Sequence, residues 1–144
     1  MIAIDTNVLL RYLLQDDVVQ SKKANKLLLG SRKILITDIV LSETIWILKG
    51  KKYKLRKDDL LRVLDLLFRE PSLMFEDGQT VWRAVNEFRV TQPVKVGTKK
   101  KDVDFADALV LEKSKYDTTR KSERFAGLYS FDEAGQQLNN IIKP

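Results

Sequence analysis

The feature that most constrains this chain is an alternation. Short apolar runs, each ended by polar residues, are separated by longer stretches whose apolar residues recur at helical spacing. Ile2-Ala3-Ile4 stops at Asp5-Thr6-Asn7, after which Val8, Leu9, Tyr12 and Leu13 trace one face of a helix. Ile34-Leu35-Ile36-Thr37 is a second run, and Val40, Thr44, Ile47 and Leu48 follow it at helical spacing up to Gly50. Leu73-Met74-Phe75-Glu76 is a third, and Gly127 to Phe131 is the last, ended by Asp132. Short continuous apolar strands between amphipathic helices predict an α/β domain around a parallel sheet. The pattern does not encode strand order.

The remaining segments follow the same logic. A helix from about Val19 to Leu29 stops at Gly30. Lys57 or Asp58 opens a helix carrying Leu60, Leu61, Leu64, Leu67 and Phe68, and Pro71 closes it. Gln79 to Val90 reads as a helix, as does Asp104 to Lys115. Residues 91–103, with Pro93, Gly97 and the run Lys99-Lys100-Lys101, read as a loop, and residues 116–124 as polar and mobile. Trp46 and Trp82 sit in apolar stripes and read as core. With 144 residues and no linker or internal repeat, residues 1–144 are expected to form a single domain.

Composition removes whole classes of chemistry. There is no histidine and no cysteine, which excludes Ser-His-Asp and Cys-His catalysis, zinc-thiolate sites and disulfides. The formal charge of +6 implies affinity for a polyanion, nucleic acid first, although a lysine-rich soluble surface has the same composition. The apolar start carries Asp5 and Arg11 and lacks the features of a signal peptide. No apolar run reaches the ~20 residues of a membrane span. A cytoplasmic protein with no membrane partner is expected.

The chemistry then rests on carboxylates. In open α/β sheets, ligands bind beyond the carboxyl ends of the strands. Asp5 and Asp132 each follow an apolar strand directly, which is a reason to expect them near one another. Glu43 lies one turn into a helix among apolar neighbours, so an exposed solvating role is less natural for it. Asp104 and Asp107, three residues apart, share a helix face. Carboxylates ~4 Å apart repel by about 4 kcal/mol per pair at an effective dielectric of 20, so a cluster of them needs protonation or a cation. All-oxygen ligands suit Mg²⁺ or Mn²⁺, which would polarise a phosphodiester and activate water. Structural roles compete at each position. Asp5 serves equally as a helix cap, Asp102 and Asp104 as cap and dipole partners, Glu43 as a helix-start acid and Asp132 as a turn residue. The basic stretch with Lys49, Lys51, Lys52 and Tyr53, and the run Lys99, Lys100 and Lys101, read either as solvated segments or as weak RNA contacts.

The motifs resemble a known family. Met1-Ile2-Ala3-Ile4-Asp5-Thr6-Asn7-Val8-Leu9 resembles the start of PIN-domain proteins, above all the VapC-type toxins of toxin–antitoxin pairs. Leu41-Ser42-Glu43 with Trp46-Ile47-Leu48 is similar to the segment bearing that family's second acid. Asp104-Phe105-Ala106-Asp107-Ala108-Leu109 is similar to its third acidic motif, and Ser130-Phe131-Asp132 to its C-terminal Thr-Phe-Asp. The resemblance implies a three-layer α/β/α sandwich around a parallel sheet of four to five strands. It implies that Asp5, Glu43 and Asp107 are the core metal ligands, Asp132 a fourth acid and Asp104 an additional one. Thr6, Asn7 and Ser130 would hydrogen-bond within the site, with Ser130 standing where threonine is commoner. It further implies Mg²⁺ or Mn²⁺ dependence, endoribonuclease activity, a homodimer, and neutralisation by an antitoxin whose C-terminal segment enters the active-site groove. Between Lys113 and Gly127 the sequence departs from the family's small-residue pattern, which bears on where Asp132 sits.

The alternative function is an RNA-binding module of the same fold that does not cleave; an acidic set without metal would repel RNA, which argues against it. A phosphohydrolase with Asp5 as nucleophile ranks below both, because Asn7 stands where that chemistry commonly wants a second aspartate.

Overall fold

The computed structural model describes residues 1–144, which divide into two compact units, Met1–Gly78 and Gln79–Pro144. In the first unit, β1 (Ile2–Ala3), β2 (Ile34–Ile36) and β3 (Leu73–Phe75) form a parallel sheet in the order β1-β2-β3. Ile2 pairs with Ile34, and Ile34 with Leu73. Parallel neighbours need crossovers, and the helices α1 (Thr6–Leu14), α2 (Val18–Leu28), α3 (Asp38–Lys49) and α4 (Lys57–Arg69) supply them.

Two of these helix starts have a cap that one side chain supplies. The Asp17 carboxylate accepts the Gln20 N–H at 2.8 Å and caps α2. The Thr37 hydroxyl accepts the Val40 N–H and caps α3. α4 places Leu60, Leu61, Leu64 and Leu67 on one buried face, as the heptad-like spacing predicts. These leucines join Leu9, Leu28, Ile34, Ile36, Leu41 and Leu48 among the buried apolar side chains.

The second unit contains α5 (Gly78–Val90, whose first residue ends the first unit), the hairpin β4 (Val94–Val96) and β5 (Lys99–Lys101), and α6 (Phe105–Arg120). It ends with β6 (Leu128–Tyr129), a 3-10 turn at Gly135–Gln137, and β7 (Ile141–Ile142). β6 and β7 pair in parallel, Leu128 with Ile141. Phe88 of α5 and Phe105 of α6 meet edge to face, with ring centroids 5.8 Å apart. The six helices and parallel strands agree with the α/β class expected of the sequence. The parallel strands divide into a three-stranded sheet and a separate two-stranded ladder.

Three expectations are corrected. Residues 91–103 contain an antiparallel hairpin, in which Val96 pairs with Lys99. Gly97 takes φ +63° at the first position of the two-residue turn, a backbone state that glycine adopts at little cost. A triple-lysine strand has no apolar alternation, so its sequence gives no strand signal. Residues 116–120 belong to α6, which runs to Arg120. Its polar second half is held by local pairs. Lys115 bridges Glu112 at 2.7 Å, Lys113 and Arg120 flank the Tyr116 ring, and the Thr119 hydroxyl donates to the Lys115 carbonyl. Finally, Trp46 and Trp82 are not core. Trp46 is 70% exposed, because α3 buries the opposite face through Leu41, Thr44, Ile45 and Leu48. Trp82 is 43% exposed, at the flank of an α5 face formed by Val81, Ala84, Val85 and Phe88.

The burial pattern of α4 predicts unequal costs along it. Leu64→Ala should destabilise by about 2–5 kcal/mol in urea denaturation. Leu66→Ala, on the half-exposed side, should cost about 1 kcal/mol or less.

Candidate metal centre

The first unit holds the two N-terminal acids. Asp5 follows β1 and, in extended conformation, accepts the Val8 N–H on Oδ1 at 2.9 Å. It therefore does cap α1, and it does so while exposed. The adjoining Thr6 is buried, and its hydroxyl donates to Oε2 of Glu43 at 2.8 Å. Thr6 thus ties the start of α1 to the second turn of α3, two helices that pack together. Glu43 is exposed despite its apolar neighbours. The start of α3 is already satisfied by Thr37 and by the Glu76 carboxylate, which accepts the Asp38 N–H, so capping does not account for Glu43. Asn7 is exposed and lines a shallow cleft with Asp5, Arg11, Gln20 and Lys23.

The second unit gathers the other three acids. Asp104, Asp107 and Asp132 each present a carboxylate oxygen, and the three oxygens lie within 4.8 Å of one another. Asp104 occupies the cap position of α6, yet its side chain makes no capping bond. Asp107 lies one turn on, with its backbone N–H bound to the Asp104 carbonyl at 3.0 Å. Asp132 follows β6 in a tight turn. Its Oδ1 accepts the N–H groups of Ala134 and Gly135 at 2.9 and 3.2 Å, and its own N–H donates to the Ser130 hydroxyl at 3.0 Å. Ser130 therefore holds the turn that aims Asp132. Gly135 is buried against Asp107, where even a Cβ would touch the carboxyl group at 3.4 Å.

Lys101, at the end of β5, donates to Oδ2 of Asp132 at 3.0 Å. Its sequence neighbours made it a candidate RNA contact; the structure engages it with an acid of the cluster. The hairpin explains how: alternation along β5 separates Lys101 and Lys99 from Lys100. A run read as loop gave no such signal.

The electrostatics follow from this arrangement. Burial, with the charges of Asp132 and Asp104, pushes the Asp107 carboxyl above the usual aspartate range. Burial pushes Asp132 the same way, but the hydrogen bonds from Lys101, Gly135 and Ala134 outweigh it and hold its pKa low. The bond to Asp132 raises Lys101, against the opposing effect of burial.

The residues fit a divalent cation. Oδ2 of Asp107 is buried and has no hydrogen-bond partner. Buried carboxylate oxygens are ordinarily satisfied, and three converging oxygen donors are the chemistry Mg²⁺ and Mn²⁺ take. Asp5, Thr6 and Glu43 lie in one unit and Asp104, Asp107 and Asp132 in the other.

The sequence profile of the PIN domain matches residues 2–126. No curated protein matches the chain.

Asp107's raised pKa makes the folded chain hold its proton to higher pH than the unfolded chain does. The associated stability is complete below the ordinary aspartate pKa of about 3.9 and is lost as pH rises through Asp107's raised value. Asp107→Asn should therefore unfold at a higher temperature than wild type at neutral pH, with the excess vanishing on acidification. A divalent cation at about 100 times its Kd should stabilise wild type by about 2.7 kcal/mol. Asp107→Asn should lose most of that gain in the same thermal scans.

Proposed function

The chain belongs to the PIN-domain family, whose members are generally nucleases using divalent metal, and from that premise we propose that it is a Mg²⁺- or Mn²⁺-dependent endoribonuclease. The observation that carries this reading is the convergence of Asp104, Asp107 and Asp132 with an unsatisfied buried oxygen on Asp107. Asp107, Asp132 and Asp104 would hold the cation, with Asp5 and Glu43 as the further ligands that their motifs imply. A divalent cation, when bound, supplies Lewis-acid polarisation of the phosphodiester and acidifies the attacking water.

The chain's own residues prepare that step. Thr6 fixes one oxygen of Glu43 and leaves the other available. The Ala134 and Gly135 N–H groups fix Oδ1 of Asp132, so the carboxylate reaches a ligand without losing side-chain freedom at that moment. Lys101 compensates part of the cluster's charge from Asp132. Exposed lysines, among them Lys49, Lys51, Lys52, Lys99 and Lys100, supply sequence-independent phosphate contacts. The match over residues 2–126 covers the first unit and the second as far as residue 126, and Asp132 lies beyond it.

The finer reading is the toxin of a VapBC-type pair, a homodimer neutralised by a cognate antitoxin. The opening Asp5-Thr6-Asn7 and the Asp104 to Leu109 motif support it through their resemblance to VapC proteins. Growth arrest on expression, relieved by the product of a neighbouring reading frame, tests it.

Asp5→Asn separates catalysis from capping, because asparagine caps a helix as well as aspartate does. Cleavage of total RNA in Mg²⁺ or Mn²⁺ should fall at least about 100-fold, more than the 10–100-fold typical of losing an outer-shell partner, while thermal stability changes by less than about 0.5 kcal/mol. Cleavage that persists without metal, or in Asp5→Asn, would sink the mechanism. Metal binding with no cleavage of any RNA would favour the non-cleaving module.

A further inference from the structure

We infer that Lys101 is an exchangeable counter-ion, which leaves Asp132 when a divalent cation binds and moves to an RNA phosphate, so that metal and RNA bind cooperatively; this rests on the nuclease reading above and deepens it. The two oxygens of Asp132 are engaged differently. Oδ1 accepts the Ala134 and Gly135 N–H groups, whereas Oδ2 accepts the Lys101 ammonium at 3.0 Å. An ammonium and a metal ion therefore compete for Oδ2. Sharing one carboxylate would bring their like charges close enough to repel strongly, so the weaker-held of the two must leave. The charges of Asp104 and Asp107 add to the pull on Lys101, so the same three acids that would hold a cation also draw the ammonium.

The bridge is built to open. The Lys101 side chain is 47% exposed, and exposed ion pairs hold weakly. An ammonium on a flexible stem makes a point contact, without the two-pronged grip of an arginine. The turn that aims Asp132 does not depend on the bridge, because Ser130 and the two backbone N–H groups fix it. Lys101 closes the hairpin opposite Val94, while Lys95 and Lys100 pair with each other on the other face. Once released, the Lys101 ammonium has lost its anion, and RNA offers one at each phosphate. Metal and RNA both favour the released state over the bridged one. Each therefore lowers the cost of binding the other, and by the same factor.

The test is Mn²⁺ binding to the full chain by isothermal titration. Lys101→Met should bind Mn²⁺ about tenfold more tightly than wild type, a usual size for coupling between two ligands. Lys101→Arg keeps the bridge and should bind no more tightly than wild type. Lys95→Met removes one charge from the other face of the same hairpin and should stay within about threefold, because exposed charges at a distance are screened. The affinity of a short RNA is then measured in EDTA and in Ca²⁺, with a gel confirming that the RNA stays intact. Ca²⁺ should strengthen RNA binding about tenfold more in wild type than in Lys101→Met, by the reciprocity of the coupling. Circular dichroism checks the fold of each variant, and Lys101→Gln is a second neutral variant should Lys101→Met fold poorly. Mn²⁺ binding by the neutral variants that is equal to or weaker than wild type overturns the proposal. An equal gain in Lys95→Met also overturns it, as does a Ca²⁺ effect on RNA binding of the same size in wild type and Lys101→Met. Failure of wild type to cleave RNA in Mg²⁺ removes the nuclease reading, while the binding comparisons still decide the exchange.

Discussion

Three carboxylates whose oxygens lie within 4.8 Å of one another repel, and Lys101 compensates part of that charge at Asp132. At ~4 Å and an effective dielectric of 20, each such pair costs about 4 kcal/mol if both members are charged. The fold answers part of this cost locally. Asp132 draws on Lys101 and two backbone N–H groups, and its charged form is favoured. Asp107 has no such support for Oδ2, and its charged form is disfavoured. The cluster is therefore asymmetric: the charge of one acid is supported by the protein, and the charge of the other calls for a proton or a cation.

The first unit shows a different economy. The cap that Asp5 makes uses Oδ1 alone, which leaves its other oxygen outside the structural task. The structural and functional explanations of this residue are compatible, so showing that it caps α1 does not remove it from the site. Thr6 does the same service for Glu43 through its hydroxyl. Short strands make this possible. β1 is only two residues long, so the polar turn begins almost at once and places its side chains at the sheet's carboxyl end.

The strands β1, β2, β3 and β6, the helices α1 to α5 and the shared helix face of Asp104 and Asp107 were legible in sequence because each rests on local signals, apolar runs, helical periodicity and caps, whereas β7 lies beyond the run that reads as the last strand. Where signals are non-local, legibility ended. The hairpin β4–β5 was read as loop because its second strand is Lys99-Lys100-Lys101, which carries no apolar alternation. The second half of α6 was read as mobile because its order comes from pairs around Tyr116 and Lys115, not from an apolar stripe. Trp46 reads as core because it falls among apolar residues in sequence; on the α3 periodicity set by Leu41, Ile45 and Leu48, position 46 points outward. The partnership of Lys101 with Asp132 spans 31 residues, and no pattern within either segment announces it.

The most direct test of the central claim is diffraction from a crystal grown with Mn²⁺, using the anomalous signal to place the ion. An ion within coordinating distance of Oδ2 of Asp107 and of Asp132, with Lys101 released from Asp132, is the result this account predicts. An ion bound elsewhere, or a cluster that keeps its Lys101–Asp132 bridge and leaves Asp107 Oδ2 without a ligand at saturating Mn²⁺, would contradict it.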